Sequence, residues 1–274
     1  MWWFQVAALS FLIVILFARV LADMALDWWQ QPELSQGMLL PPLALFIAWI
    51  ERRRILSFAA STDRRGLFLI GFACFMLVLG RLASEFFLMR FSFVVLITGL
   101  IWTFWGTRRL RALAFPLLLL AAMVPLPAIV YNAVAAPLQL FASDVASRIA
   151  QAVGVSVFRD GNVIQLANIS LGVAEACSGL SCLSALIVGS LLLGYLMCTR
   201  LVGRVLLLLL AVPLAIAVNV VRVAGTAVLA DYDQVFALGF YHAFSGWLVF
   251  VVGTVALFGI AQGVHLLIDP KEAA

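Results

Sequence analysis

Charged residues are missing from long stretches of this chain and then arrive in bursts. Eight predominantly apolar runs stand between the bursts, at about 4–22, 37–50, 66–82, 91–107, 112–131, 177–197, 202–221 and 243–264. Most are close to the roughly 20 apolar residues that an α-helix needs to cross a bilayer. The run at 37–50 is the shortest and carries Pro41-Pro42. The pattern predicts an all-α fold: a polytopic membrane helix bundle of about eight transmembrane helices.

The one long segment outside these runs is 132–176, between the fifth and sixth. Within it, Pro137 to Ala152 places Leu138, Phe141, Val145 and Ile149 on one helical face, with Gln139, Ser143, Asp144, Ser147, Arg148 and Gln151 elsewhere. That spacing predicts a helix lying in the membrane interface, with Pro137 in its first turn. Farther on, Val155–Phe158 and Val163–Ile169 flank Arg159-Asp160-Gly161-Asn162. Asp-Gly between β-branched runs predicts a small β-hairpin. No repeat or composition shift divides the chain, so residues 1–274 read as one integral membrane domain.

Composition agrees. Apolar residues fill 65% of the 274 positions and charged residues 11%, against roughly 45–50% and 25% in a soluble domain. The first run lacks a preceding basic region and a small-residue cleavage site, so it reads as a retained helix. Arg52–Arg54, Arg64, Arg65, Arg108, Arg109, Arg111, Arg200, Arg204 and Lys271 all fall in alternate loops or at the C-terminal tail. Basic residues in short loops stay in the cytoplasm. The expected placement is therefore the bacterial cytoplasmic (inner) membrane, with both termini inside and segment 132–176 on the outer face. The pI near 9.2 follows from this topology, and no nucleic-acid partner is needed to explain it. Four cysteines and two histidines without metal-type spacing predict no metal site, and no cofactor is expected.

An ionisable group at a membrane boundary is costly and is a candidate for function. On this topology Cys177, Arg222 and His242 lie at the outer ends of the last three helices, in one layer. Cys177 stands at a helix N-terminus, where the helix dipole and nearby cations favour the thiolate nucleophile. His242 is placed to exchange a proton with the thiol or a leaving amine. Arg222 lies on the side that basic residues avoid, and its five donors suit a thiolate or an oxyanion. Asn219, three residues before Arg222, shares its helical face, and Glu175 is in reach of either cation. Taken singly, each has a plainer explanation: a packed cysteine, an interfacial histidine, an arginine reaching for headgroups. Their coincidence at one depth favours function. Cys182 is about 7.5 Å deeper than Cys177 at the helical rise and is turned away from it; it reads as a packing residue.

At these positions the sequence resembles the exosortase/archaeosortase family of membrane cysteine transpeptidases. The resemblance lies in Glu175-Ala176-Cys177-Ser178-Gly179-Leu180, in Asn219-x-x-Arg222, and in His242 followed by a glycine-containing helix. It implies a protease/transpeptidase in which Cys177 attacks the C-terminal sorting tail of an exported protein. Such tails often carry Pro-Glu-Pro, and a thioester forms before transfer to a surface acceptor. Arg222 would stabilise charge and His242 would move protons, with Glu175, Ser178, Gly179 and Asn219 binding or supporting. The implied partners are tail-bearing exported proteins, in an exopolysaccharide-associated sorting system, and membrane lipids. A transporter or flippase would need broken helices and mid-membrane polar groups; Pro116, Pro125 and Pro127 offer the first without the second. A non-catalytic membrane subunit is the remaining alternative.

Overall fold

The computed structural model describes residues 2–31, 34–167, 169–172, 179–237 and 239–268; the side chains of 2–10, 179, 180, 237, 239, 240, 242 and 243 lie outside the description. The chain forms two compact units, Met1–Pro127 and Ala128–Ala274.

The first unit contains α1 (Trp2–Gln30), a 3-10 turn (Ser35–Leu39), α2 (Leu40–Ile50), α3 (Arg52–Ser57), α4 (Arg65–Leu82), α5 (Phe86–Ala112) and α6 (Ala114–Ala122). Pro41 and Pro42 occupy the first turn of α2, where a missing N–H costs nothing. Helices α4 and α5 form an antiparallel pair. Phe17 and Val20 of α1 close over Ala73, Leu77 and Leu96 between them. At the other end of the pair, the Asp63 carboxylate accepts hydrogen bonds from the Arg65 backbone N–H at 3.0 Å, Trp102 Nε1 at 3.1 Å and Thr107 Oγ1 at 3.0 Å. The arginine-rich bursts at 52–54, 64–65 and 108–111 share that end.

The second unit contains α7 (Ala128–Ala152), the strands β1 (Phe158–Asp160), β2 (Val163–Gln165) and β3 (Ser170–Gly172), then α8 (Gly179–Met197), α9 (Leu201–Tyr232) and α10 (Gly239–Ile268). The expected hairpin is present: Asp160 pairs with Val163 across a two-residue turn, Gly161-Asn162. Gly161 sits at φ 61°, the conformation that II′-type hairpin turns reserve for glycine at their first central position. β3 pairs antiparallel with β2 and makes a three-stranded sheet.

Five helices are long and apolar enough to cross a membrane among the described residues: Arg65–Leu82, Phe86–Ala112, Ala128–Ala152, Leu201–Tyr232 and Phe244–Ile268. Ser35–Ile50 and Ser181–Met197 are shorter and apolar. Large apolar side chains stand outward along these helices, Phe68, Leu209 and Val255 among them. Such a surface suits lipid and not water.

The region from 112 to 152 is organised differently from its sequence pattern. The run at 112–131 breaks after α6, at Pro125 and Pro127, and the segment expected to lie in the interface is the second half of the 25-residue α7. Pro137 is inside that helix and not in its first turn. Its buried stripe is Ala135, Ala142, Ala146 and Ala150, with Ser143 and Ser147, while Phe141 and Ile149 face outward. Lipid is as apolar as a large side chain, so helix contacts form where small residues let backbones approach.

Candidate functional site

The site is built where α8, α9 and α10 meet. These three helices pack against one another, around Leu183 and Leu186 of α8, Leu207, Ala211 and Ala215 of α9, and Leu257 and Ala261 of α10. Farther toward the C-terminal end of α9 the partners change. Val223, Ala224, Ala227 and Ala230 pack on Ala146 and Ala150 of α7 and on Ile164, Leu166 and Leu171 of the sheet. The sheet therefore sits over one end of α9. Ser143 Oγ donates to the Gly161 carbonyl at 3.1 Å, and the Asp144 carboxylate pairs with Arg159 at 3.5 Å, tying the hairpin to α7.

Arg222 stands on α9 between these two cores. Its guanidinium lies against α10 at Gly246: a methyl group there would fall 2.7 Å from Nη2 and 3.0 Å from Cζ. Only a residue without a side chain leaves room for this contact. Position 242 is four residues before Gly246 on the same helix, hence on the same face; the His242 side chain is outside the description. One turn before Arg222 on α9, Asn219 lines a small void shared with Leu183 of α8. Arg222 thus stands one turn along α9 from the void shared with α8, and its guanidinium lies one turn along α10 from position 242.

Cys177, Glu175 and Ser178 lie outside the described residues, and of Gly179 only the backbone is described, as the first residue of α8. The chain on either side brackets them. Gly172 ends β3 in the sheet above α9, and Gly179 opens α8. Asn219 is 6% exposed and its Oδ1 has no hydrogen-bond partner among the described residues. It faces a void of about 10 Å³ between α7, α8 and α9, lined by Leu138, Ala142, Leu183, Ala215 and Ile216.

One position escaped the reading of single residues. Gly246 is the seat of Arg222, legible as the glycine one helical turn after His242. Cys182, read as a packing residue, is half-buried against the core shared by α8, α9 and α10.

A model of the transmembrane exosortase family matches residues 28–259. The chain belongs to the transmembrane exosortase family. The match spans both units and covers Cys177, Arg222 and His242. Exosortases are membrane cysteine transpeptidases acting on exported proteins with sorting tails. No curated protein and no solved structure matches the chain.

Proposed function

We propose that this exosortase is a cysteine protease/transpeptidase that cleaves the C-terminal sorting tails of exported proteins, Pro-Glu-Pro tails among them, through a thioester on Cys177. The observation that carries the reading is the seat of Arg222: its guanidinium lies on α10 at Gly246, one turn from position 242.

In the reaction, the Cys177 thiolate attacks the carbonyl carbon of the scissile peptide bond, and the carbonyl oxygen becomes an oxyanion. Arg222 donates to that oxyanion, a charge absent from the ground state, so its contribution is spent on the transition state. Collapse breaks the C–N bond, and His242 delivers a proton to the departing amine. The acyl group remains on sulfur as a thioester. An acceptor amine or other nucleophile at the cell surface then attacks, His242 takes up its proton, and the thiolate leaves. Glu175, Ser178, Gly179 and Asn219 bind or support this site.

The site lies on the outer face of the cytoplasmic membrane, with both termini inside. The basic bursts support that orientation. Eight crossings satisfy it when the shorter apolar helices and α1 join the five long ones. A substrate with its own membrane helix reaches the site by diffusion in the plane of the bilayer. The decisive experiment co-expresses a tail-bearing substrate with native protein, Cys177→Ala or Arg222→Ala, and follows substrate maturation by gel mobility. Both variants insert in the membrane and leave the substrate unprocessed. Normal maturation with Cys177→Ala would sink the nucleophile assignment.

A further inference from the structure

Six arginines lie outside the basic loops and tail: Arg19, Arg81, Arg90, Arg148, Arg159 and Arg222. Arg148 and Arg159 are paired with Asp144, and Arg222 belongs to the site above. The other three line one cavity of about 410 Å³ in the first unit, between α1, α4 and α5. It lies at the end of the α4–α5 pair opposite Asp63 and the arginine-rich bursts, the end where basic residues are least expected.

The charges around this cavity are unequally used. Arg90 is buried and ion-paired with Asp27. Glu85 accepts from the Leu88 N–H at 2.9 Å and caps α5. Arg81 donates one N–H to the Leu16 carbonyl at 3.2 Å and keeps the rest of its fork. Arg19 and Asp23 are exposed, line the same cavity, and neither pairs with the other. After these pairings Arg19 and Arg81 keep donors open to the cavity, and the carboxylates of Asp23 and of the helix-capping Glu85 balance their charge. Ser84, also in the lining, sits at φ 53° just past the C-cap of α4, where the Glu85 N–H bonds back to the Gly80 carbonyl at 2.8 Å and turns the chain toward α5. Arginine forks match phosphate oxygens two at a time.

We propose that this cavity binds a phosphate group, with Arg19 and Arg81 as its principal ligands. At the depth where α4 ends and α5 begins, the abundant source is the phosphodiester of a lipid headgroup. A soluble phosphate offers the same chemistry. The site stands apart from the proposed transpeptidase reading, because its test reads binding and not processing.

The test uses the purified full chain in a phosphate-free maltoside detergent. Dihexanoyl-phosphatidylglycerol or sodium phosphate is titrated and the thermal unfolding midpoint followed. A rise with the lipid alone assigns the site to headgroups; a rise with sodium phosphate at similar concentration assigns it to a soluble anion. Either supports a phosphate site. Arg19→Gln and Arg81→Gln each weaken binding by about tenfold or more. Asp23→Asn removes the competing carboxylate and tightens binding several-fold, a gain that a misfolded protein does not give. No midpoint shift with either ligand, undiminished binding in the arginine variants, or unchanged or weaker binding in Asp23→Asn would each overturn the proposal.

Discussion

Replacing Gly246 by alanine is the sharpest perturbation of the proposed site, because it moves Arg222 without removing it. The new methyl group would meet Nη2 at 2.7 Å, and relaxing to the 3.4 Å of ordinary contact displaces the guanidinium by about 0.7 Å, a van der Waals adjustment. The clashing atom is the tip of a flexible side chain, so folding tolerates the shift. Pushing the side chain off its preferred rotamer costs about 1 kcal/mol, and alanine exceeds glycine in helix propensity by about the same amount, so the net change in stability is about zero. Catalysis is less tolerant. A misplacement of order 1 Å costs roughly 100-fold, and loss of one oxyanion donor roughly 100- to 1,000-fold. The expected result for Gly246→Ala is a roughly 10- to 100-fold slower conversion of a tail-bearing substrate, timed by pulse-chase in cells, with an unchanged unfolding midpoint. Gly259→Ala, in the same helix and with nothing within 4 Å of the added carbon, processes at the native rate. Native-rate processing by Gly246→Ala would refute the claim that the seat of Arg222 matters.

Three further outcomes are expected. Ile164, with no exposed surface, anchors the sheet on α9, so Ile164→Ala costs about 2–5 kcal/mol and lowers the unfolding midpoint in detergent; an unchanged midpoint contradicts the packing described. The hydrogen bond from the Arg65 backbone N–H, followed by those from Thr107 and Trp102, holds the Asp63 carboxyl below its usual range. Its stabilising effect is therefore complete above the unfolded value of about 3.9 and is lost as pH falls through the lower folded value. Asp63→Asn flattens the acid limb of the unfolding midpoint against pH, and an equally steep limb in that variant removes Asp63 as its source. Finally, in a chain with Cys74, Cys182 and Cys198 replaced by serine, a maleimide that cannot cross the membrane labels Cys177 on intact spheroplasts; labelling confined to inverted vesicles reverses the orientation.

The parts of this protein legible in its sequence are those fixed by local chemistry. Asp160-Gly161 between β-branched runs located the hairpin, because a two-residue turn needs a residue that accepts positive φ. The predominantly apolar runs at 66–82 and 91–107 became α4 and the body of α5, because backbone polar groups in lipid must bond within their own helix. The course of 112–152 was not legible. Helical periodicity finds the face carrying Phe141 and Ile149, whereas in lipid the packed face is the one with Ala142, Ala146 and Ala150. β3 was invisible at three residues. At the candidate site, the sequence named Arg222 and the helices that meet there, but the contact with Gly246 depends on how α9 and α10 approach, which no local signal encodes.

The central claim is that sulfur on Cys177 carries the acyl group, and it is open to direct observation. The native chain is incubated in nanodiscs with a tail-bearing peptide and no acceptor amine, quenched in acid, digested and analysed by mass spectrometry. The expected result is a peptide containing Cys177 heavier by the acyl fragment, labile to hydroxylamine and absent in Cys177→Ala. Cleavage of the tail by Cys177→Ala, or an acyl adduct carried by a different residue, would contradict the account.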